Sequence, residues 1–210
     1  ETADFAVFSS AQIAAMTTEQ VSKLSTDQIE DLTTDQIKGL TATQIKALDA
    51  SQVAKIETQD FALLSATQIA SLTTAQVNAL TTDQIAALTT AQAKALTATQ
   101  IGAMTTEQVS KLETADLNVM TAAQISKFTT QQINQGLSTT QLQSFSTSQI
   151  AALTPDQVKN LNTNQIVALS TDQVKALTAN QVKALTTEQI SKLETADFAV
   201  FSSAQIAAMT

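Results

Sequence analysis

Eight carboxylates carry the spacing that could do chemistry. Glu1 and Asp4, Glu57 and Asp60, Glu113 and Asp116, and Glu194 and Asp197 each frame an E-T-x-D stretch followed by Phe or Leu. Two acids three residues apart at a helix start can share a hard cation such as calcium, or touch a neighbouring layer of the fold. They suit a helix N-terminus equally well as variant caps, because the macrodipole favours negative charge there. The Gly- and Asp-rich loops of extracellular calcium repeats are missing, with only three Gly in 210 residues. General acid–base work by such a pair would need a pocket and a raised pKa, and nothing in the sequence builds a pocket. The chain has no His, Cys, Trp, Tyr or Arg. Catalytic triads, thiolate metal sites and disulfides are therefore closed off. We expect no enzyme, no cofactor, and no metal beyond these weak calcium candidates.

The elements that must position these residues follow from an eight-residue beat. Leu24, Leu32, Leu40, Leu48, Ile56 and Leu64 fall eight apart, and Gln20, Gln28, Gln36, Gln44 and Gln52 keep the same step. Numbered from its first polar residue, the unit reads TTDQIAAL at 81–88. Octads fill 1–136, Leu137 reads as a one-residue insertion, and octads resume over 138–209. One continuous helix is excluded, since eight residues at about 100° each displace the pattern by about 80° per unit and form no stripe. A strand is excluded because the unit does not alternate with period two.

One short helix per octad fits every position. Position one is mostly Thr or Ser, the preferred N-caps. Position four is Gln in 22 of 26 octads and Asp in the other four. Together they form a capping box, and the apolar residues at positions eight and five form the hydrophobic staple around it. All eleven Lys sit at positions six or seven, and seventeen of nineteen acids sit at positions one to four, Glu30 and Asp31 being the exceptions. That polarity matches a helix dipole that resets in every unit. Pro155 stands at the first helical position, where proline is favoured. Gly136 is placed where a left-handed C-cap would close a helix.

The expected fold is all-α: an α-solenoid of about 26 two-turn helices in a single continuous array over 1–210. Positions five and eight supply a narrow aliphatic core, joined by Phe5, Phe8, Phe61, Phe128, Phe145, Phe198 and Phe201. Thr, Gln, Asp and Lys are assigned to the surface. The number of helices per turn is not fixed by the pattern. Replacing Thr81 and Gln84 together by Ala is expected to cost about 1–2 kcal/mol through the lost cap.

A longer period overlies the octad. Residues 1–17 recur identically at 194–210, an offset of 193. The chain therefore reads as one long repeat and the start of the next, a segment of a larger array. A net charge of −8 argues against nucleic acid and against an anionic membrane surface. No apolar run reaches the roughly 18 residues needed to insert into a bilayer.

The stretch 153–161, LTPDQVKNL, is similar to the first-helix opening of transcription-activator-like effector repeats. It covers one octad, and the period, base-reading loop and basic surface of that family are absent. More broadly, the tandem L-T-x-x-Q-[IV]-x-A pattern resembles repeat regions of very large bacterial secreted or surface adhesin-like proteins. That resemblance implies an extender, fibre or stalk at the cell surface, with copies of itself or further repeats as partners. The alternative expectation is a binding solenoid that holds a glycan, a protein or an ice surface with its regular Thr array.

Overall fold

The computed structural model describes residues 7–209; Glu1, Asp4, Phe5 and Thr210 lie outside them. Each octad from residue 9 onward forms one helix. Among the described residues there are twenty-four α-helices and one π-helical turn, with no strand. The helix bodies hold four to six residues, as in Thr58–Phe61 and Thr34–Gly39. That is between one and two turns, about 6–9 Å long, and shorter than the two full turns expected.

The cap chemistry sets each helix start. In the octad 81–88 the Gln84 amide donates to Thr81 Oγ1 at 3.1 Å, and the Thr81 amide donates to Gln84 Oε1 at 3.0 Å. Asp49 and Asn162 serve as N-caps in the same way, and Pro155 takes the first helical position after Thr154. The corner between helices uses two extended residues. Leu80 lies at φ −55, ψ 140 and Thr81 at φ −70, ψ 157, close to polyproline II. Ordinary L-residues adopt this conformation freely, so the corner needs no glycine. No described residue has a positive φ, Gly136 included. The left-handed cap expected at Gly136 is therefore not formed.

The chain divides into two compact units, Glu1–Met104 and Thr105–Thr210. In each, a helix packs on the helix three octads away. In the first unit Ser10–Ala15 lies on Thr34–Gly39, and Ala50–Lys55 on Thr74–Ala79; in the second, Pro155–Lys159 lies on Ala179–Ala184. Helices this short do not hold together alone in water, so stacking is what stabilises them. Position five is sealed, with Ile69 and Val77 fully buried, and position eight nearly so, with Leu72 and Leu80 at 4% and 5% exposure. Phe61, Phe128, Phe145 and Phe201 join this core. Phe8 and Phe198 do not: they keep 39% and 37% of their surface exposed, in the first and last described turns.

Glu30, out of place in the charge pattern, has a partner in the stack. Its carboxylate meets Lys55 Nζ at 3.1 Å, three octads on. The pair is half exposed, so it adds at most about 1 kcal/mol.

Candidate functional site

The buried polar groups are where the structure departs most from the sequence reading. From Gln36 onward, the Gln at position four is not a surface residue. Gln76, Gln84, Gln92 and Gln100 are only 1–2% exposed, and the same position is buried through most of the chain. A buried carboxamide must find partners for both its oxygen and its nitrogen. Here Oε1 closes the cap of its own octad, while Nε2 reaches the octad four earlier. Gln84 Nε2 donates to the carbonyls of Val53 at 3.0 Å and Ile56 at 2.8 Å. Gln92 donates to Phe61 and Leu64, and Gln181 to Ile150 and Leu153, in the same geometry.

These acceptors are the position-five and position-eight carbonyls at the C-terminal end of a helix; the first also accepts the position-eight amide of its own octad, as Val53 does from Ile56 at 3.2 Å, and the second has no backbone donor. One side chain therefore satisfies the start of one helix and the end of another, 31 and 28 residues back. Packing on the third octad and bonding to the fourth means that between three and four octads complete a turn within each unit. The signal was in the sequence. A capping box accepts Glu or Gln at this position, yet no octad uses Glu there. Only the amide carries hydrogens to donate.

The E-T-x-D octads break this rule. Asp is one methylene shorter than Gln, and its carboxylate has nothing to donate. Asp60 is buried and instead accepts from the Thr34 hydroxyl at 2.6 Å, three octads back. Glu57 and Glu113 make no side-chain cap bond, so the reading of these glutamates as variant caps fails at both. The third helical amide turns to the backbone in these octads: Asp60 to the Glu57 carbonyl, Asp116 to Glu113 and Asp197 to Glu194, at 2.9–3.0 Å. The Glu194 amide donates to Asp197 Oδ2 at 3.1 Å. Asp116 is 1% exposed and its Oδ2 has no hydrogen-bond partner. Burial, reinforced by the nearby Glu113 charge, lifts its pKa from 3.8 to about 6, although an amide bond from Glu113 opposes the shift.

For calcium, each of these octads offers two carboxylates of its own. Among the described residues no group of three or more acidic, His or Cys side chains comes together. A separate feature marks the same octads. Position seven is Val7, Leu63, Val119 and Val200 in them, and Ala, Gly, Ser, Lys, Gln, Asn or Asp elsewhere. Val7, Leu63 and Val119 are 80%, 47% and 37% exposed.

The added residue is absorbed in one place. In the stretch 129–137 the helix widens to a π-helical turn, Gln132–Gly136, and the Leu137 amide bonds to the Gln132 carbonyl at 3.0 Å. Leu137 itself is a position-eight residue, 4% exposed and accepting from Gln165 Nε2 at 2.7 Å. The insertion lies inside the turn rather than at Leu137. Gln141, Gln149 and Gln157 reach back 29 and 32 residues instead of 28 and 31, and Gln173 restores the usual step. Its effect lasts for one turn of the stack.

Two features accommodate the bulge. A Cβ on Gly136 would stand 3.0 Å from the Thr106 carbonyl and 3.1 Å from Val109 Cβ, so the glycine permits close approach. Asn162, the one Asn used as an N-cap, caps Gln165 through Oδ1 and donates Nδ2 to the Asn134 carbonyl at 3.1 Å. A Ser or Thr cap lacks that second arm.

Short capped helices, stacked through a repeated carboxamide ladder, define a tandem-repeat α-solenoid. The family model described as ALTTAQ repeat matches residues 1–34, 53–90, 85–114, 135–163 and 158–187. These matches cover well over half of the sequence, and the chain belongs to the ALTTAQ repeat family. No curated protein matches the chain.

Proposed function

We propose that this chain is a structural repeat module of a long bacterial extracellular filament, fibre or adhesin-like surface stalk, without a catalytic role. The observation that carries the reading is the ladder itself. Where position four is Gln, its nitrogen bonds to the end carbonyls of the octad four earlier, so the fold continues by addition. Its partners on this reading are further octads, in the same chain or in a copy. The described helices are all too short to cross a membrane, and the proposed placement outside the cell rests on the adhesin-like repeat pattern. Electron microscopy of the native material tests the proposal, with thin filaments or stalks as the expected result. Compact particles of the full-length protein would overturn it. Immunogold labelling of intact cells checks the location separately, and label confined to the cell interior would remove the extracellular part.

A further inference from the structure

Asp60 stands where the ladder calls for a donor and has none to give. The offsets of 31 and 28 residues that serve Gln84 lead from Asp60 to the carbonyls of Ile29 and Leu32. Gln52 and Gln68, one octad to either side, keep the rule on the Leu24 and Leu40 carbonyls at 2.6 and 2.7 Å. Among the described residues nothing donates to the Leu32 carbonyl, and the Ile29 carbonyl has only the Leu32 amide at 3.3 Å. The Thr34 hydroxyl holds Asp60 Oδ1 at 2.6 Å, which brings the carboxylate to the segment that carries the Leu32 carbonyl. Asp60 and Leu32 are both buried, and no Lys pairs with Asp60 among the described residues. The second unit repeats the arrangement. There the same offsets lead from buried Asp197 to the carbonyls of Ile166 and Leu169, and nothing described donates to Leu169.

We propose that Asp60 binds a monovalent metal cation, sodium or potassium, together with the Ile29 and Leu32 carbonyls, and that Asp197 binds a second with those of Ile166 and Leu169. A buried charge is paired or holds a metal. Backbone carbonyls replace the hydration shell of alkali-metal ions, and hard cations take carboxylate and carbonyl oxygens together. The cation stands in for the Nε2 of Gln. It draws in the carbonyls of one turn and the carboxylate of the next, where Asp alone sets oxygen against oxygen. The charge count fixes the valence. Glu57 is exposed and takes the Gln59 side-chain amide at 2.6 Å, so Asp60 is the one buried carboxylate of its octad. A single positive charge neutralises it, whereas calcium would bring a second charge with no buried partner. The E-T-x-D octads thus differ from the rest in kind: a Gln octad ties its turn unaided, and an Asp octad ties it when the ion is bound. The site does not depend on where the chain is found or what it assembles into.

Hydrogen exchange read by mass spectrometry tests the site on the whole chain. The salts are sodium, potassium, calcium and tetramethylammonium chloride at one ionic strength, the last cation being too large to enter. In the wild type the amides of 57–64 should exchange more slowly in sodium or potassium than in tetramethylammonium, by about tenfold at an ion concentration ten times the Kd. Whichever of the two ions protects more is the ligand. Asp60→Gln gives this octad the residue that 22 of 26 octads carry, so it should fold and exchange slowly in all four salts. Asp197→Gln should do the same for 194–201 and leave the response of 57–64 intact. Equal wild-type exchange in all four salts overturns the proposal. So does an ion response that persists undiminished in Asp60→Gln, which would place the effect elsewhere. Stronger protection by calcium than by either monovalent ion overturns the assignment of valence.

Discussion

The octads 81–88 and 113–120 share a length and a helical fold but handle their buried polar atoms differently. In the first, Thr81 caps, and Gln84 caps and donates, so every polar group on the two side chains that enters the stack has a partner. In the second, Glu113 does not cap, and Asp116 is buried with one oxygen unpaired. The helix forms in both. Local propensity and stacking therefore suffice to make the helix, while the carboxamide decides how strongly one turn is tied to the next. Buried polar networks stabilise when complete and cost free energy when partly made. The E-T-x-D octads are then weaker ties, and they also carry the exposed Leu63 and Val119.

The comparison can be broken most sharply at Gln84. Gln84→Glu keeps the cap acceptor and removes both donors to Val53 and Ile56. It should cost about 3 kcal/mol at neutral pH, since a buried charge would face two carbonyls. Urea unfolding would measure the loss, and the loss should shrink near pH 4, where a neutral carboxyl can donate. The same reasoning revises the Thr81 and Gln84 double alanine variant, whose cost should exceed the value expected from capping alone. No difference between Gln84→Glu and wild type would mean that the ladder bonds carry no stability.

The second change runs the other way. Asp116 has a folded pKa of about 6 against an ordinary 3.8, so folding disfavours its charged form. The penalty is fully present above about pH 6 and absent below about pH 4, and stability therefore rises as pH falls through that window. Asp116→Asn removes the charge and should stabilise the chain by about 2 kcal/mol at pH 7. Thermal melts should show that gain vanishing at pH 4. A gain of equal size at both values would assign the effect to packing instead.

Smaller effects sharpen the cap and the bulge. Asn162→Asp keeps the cap on Gln165 and loses the arm to the Asn134 carbonyl, which should cost about 1–2 kcal/mol in urea unfolding. Asp49, already an acid at the same position of a regular octad, supplies the comparison, since Asp49→Asn should change little. Thr81→Ala should cost about 1 kcal/mol and Glu57→Ala close to none, because only the first residue caps. Equal losses at Thr81 and Glu57 would contradict the cap assignment.

Much of the fold was legible because its information is local. Thr or Ser at position one, Gln three residues later, apolar residues around them and charges reset in each unit dictate where a helix starts. Pro155 confirms the register by standing where only a first-turn proline is tolerated. The corner was less legible. Two extended residues form it, and no left-handed glycine is needed, because position eight leaves the helix before the cap begins.

The sequence by itself determined the helix starts, the core positions and the absence of the residue types that most catalysis requires. These depend on neighbours within eight residues. Only the tertiary structure decided that Gln is buried, that its nitrogen ties each turn to the one before, and that the extra residue becomes a π-helical turn rather than a loose Leu137. The reason is physical. A carboxamide has two ends, and the cap reveals one of them. The partner of the other lies 28 to 31 residues away, and its place is fixed only once the short helices have stacked and turned.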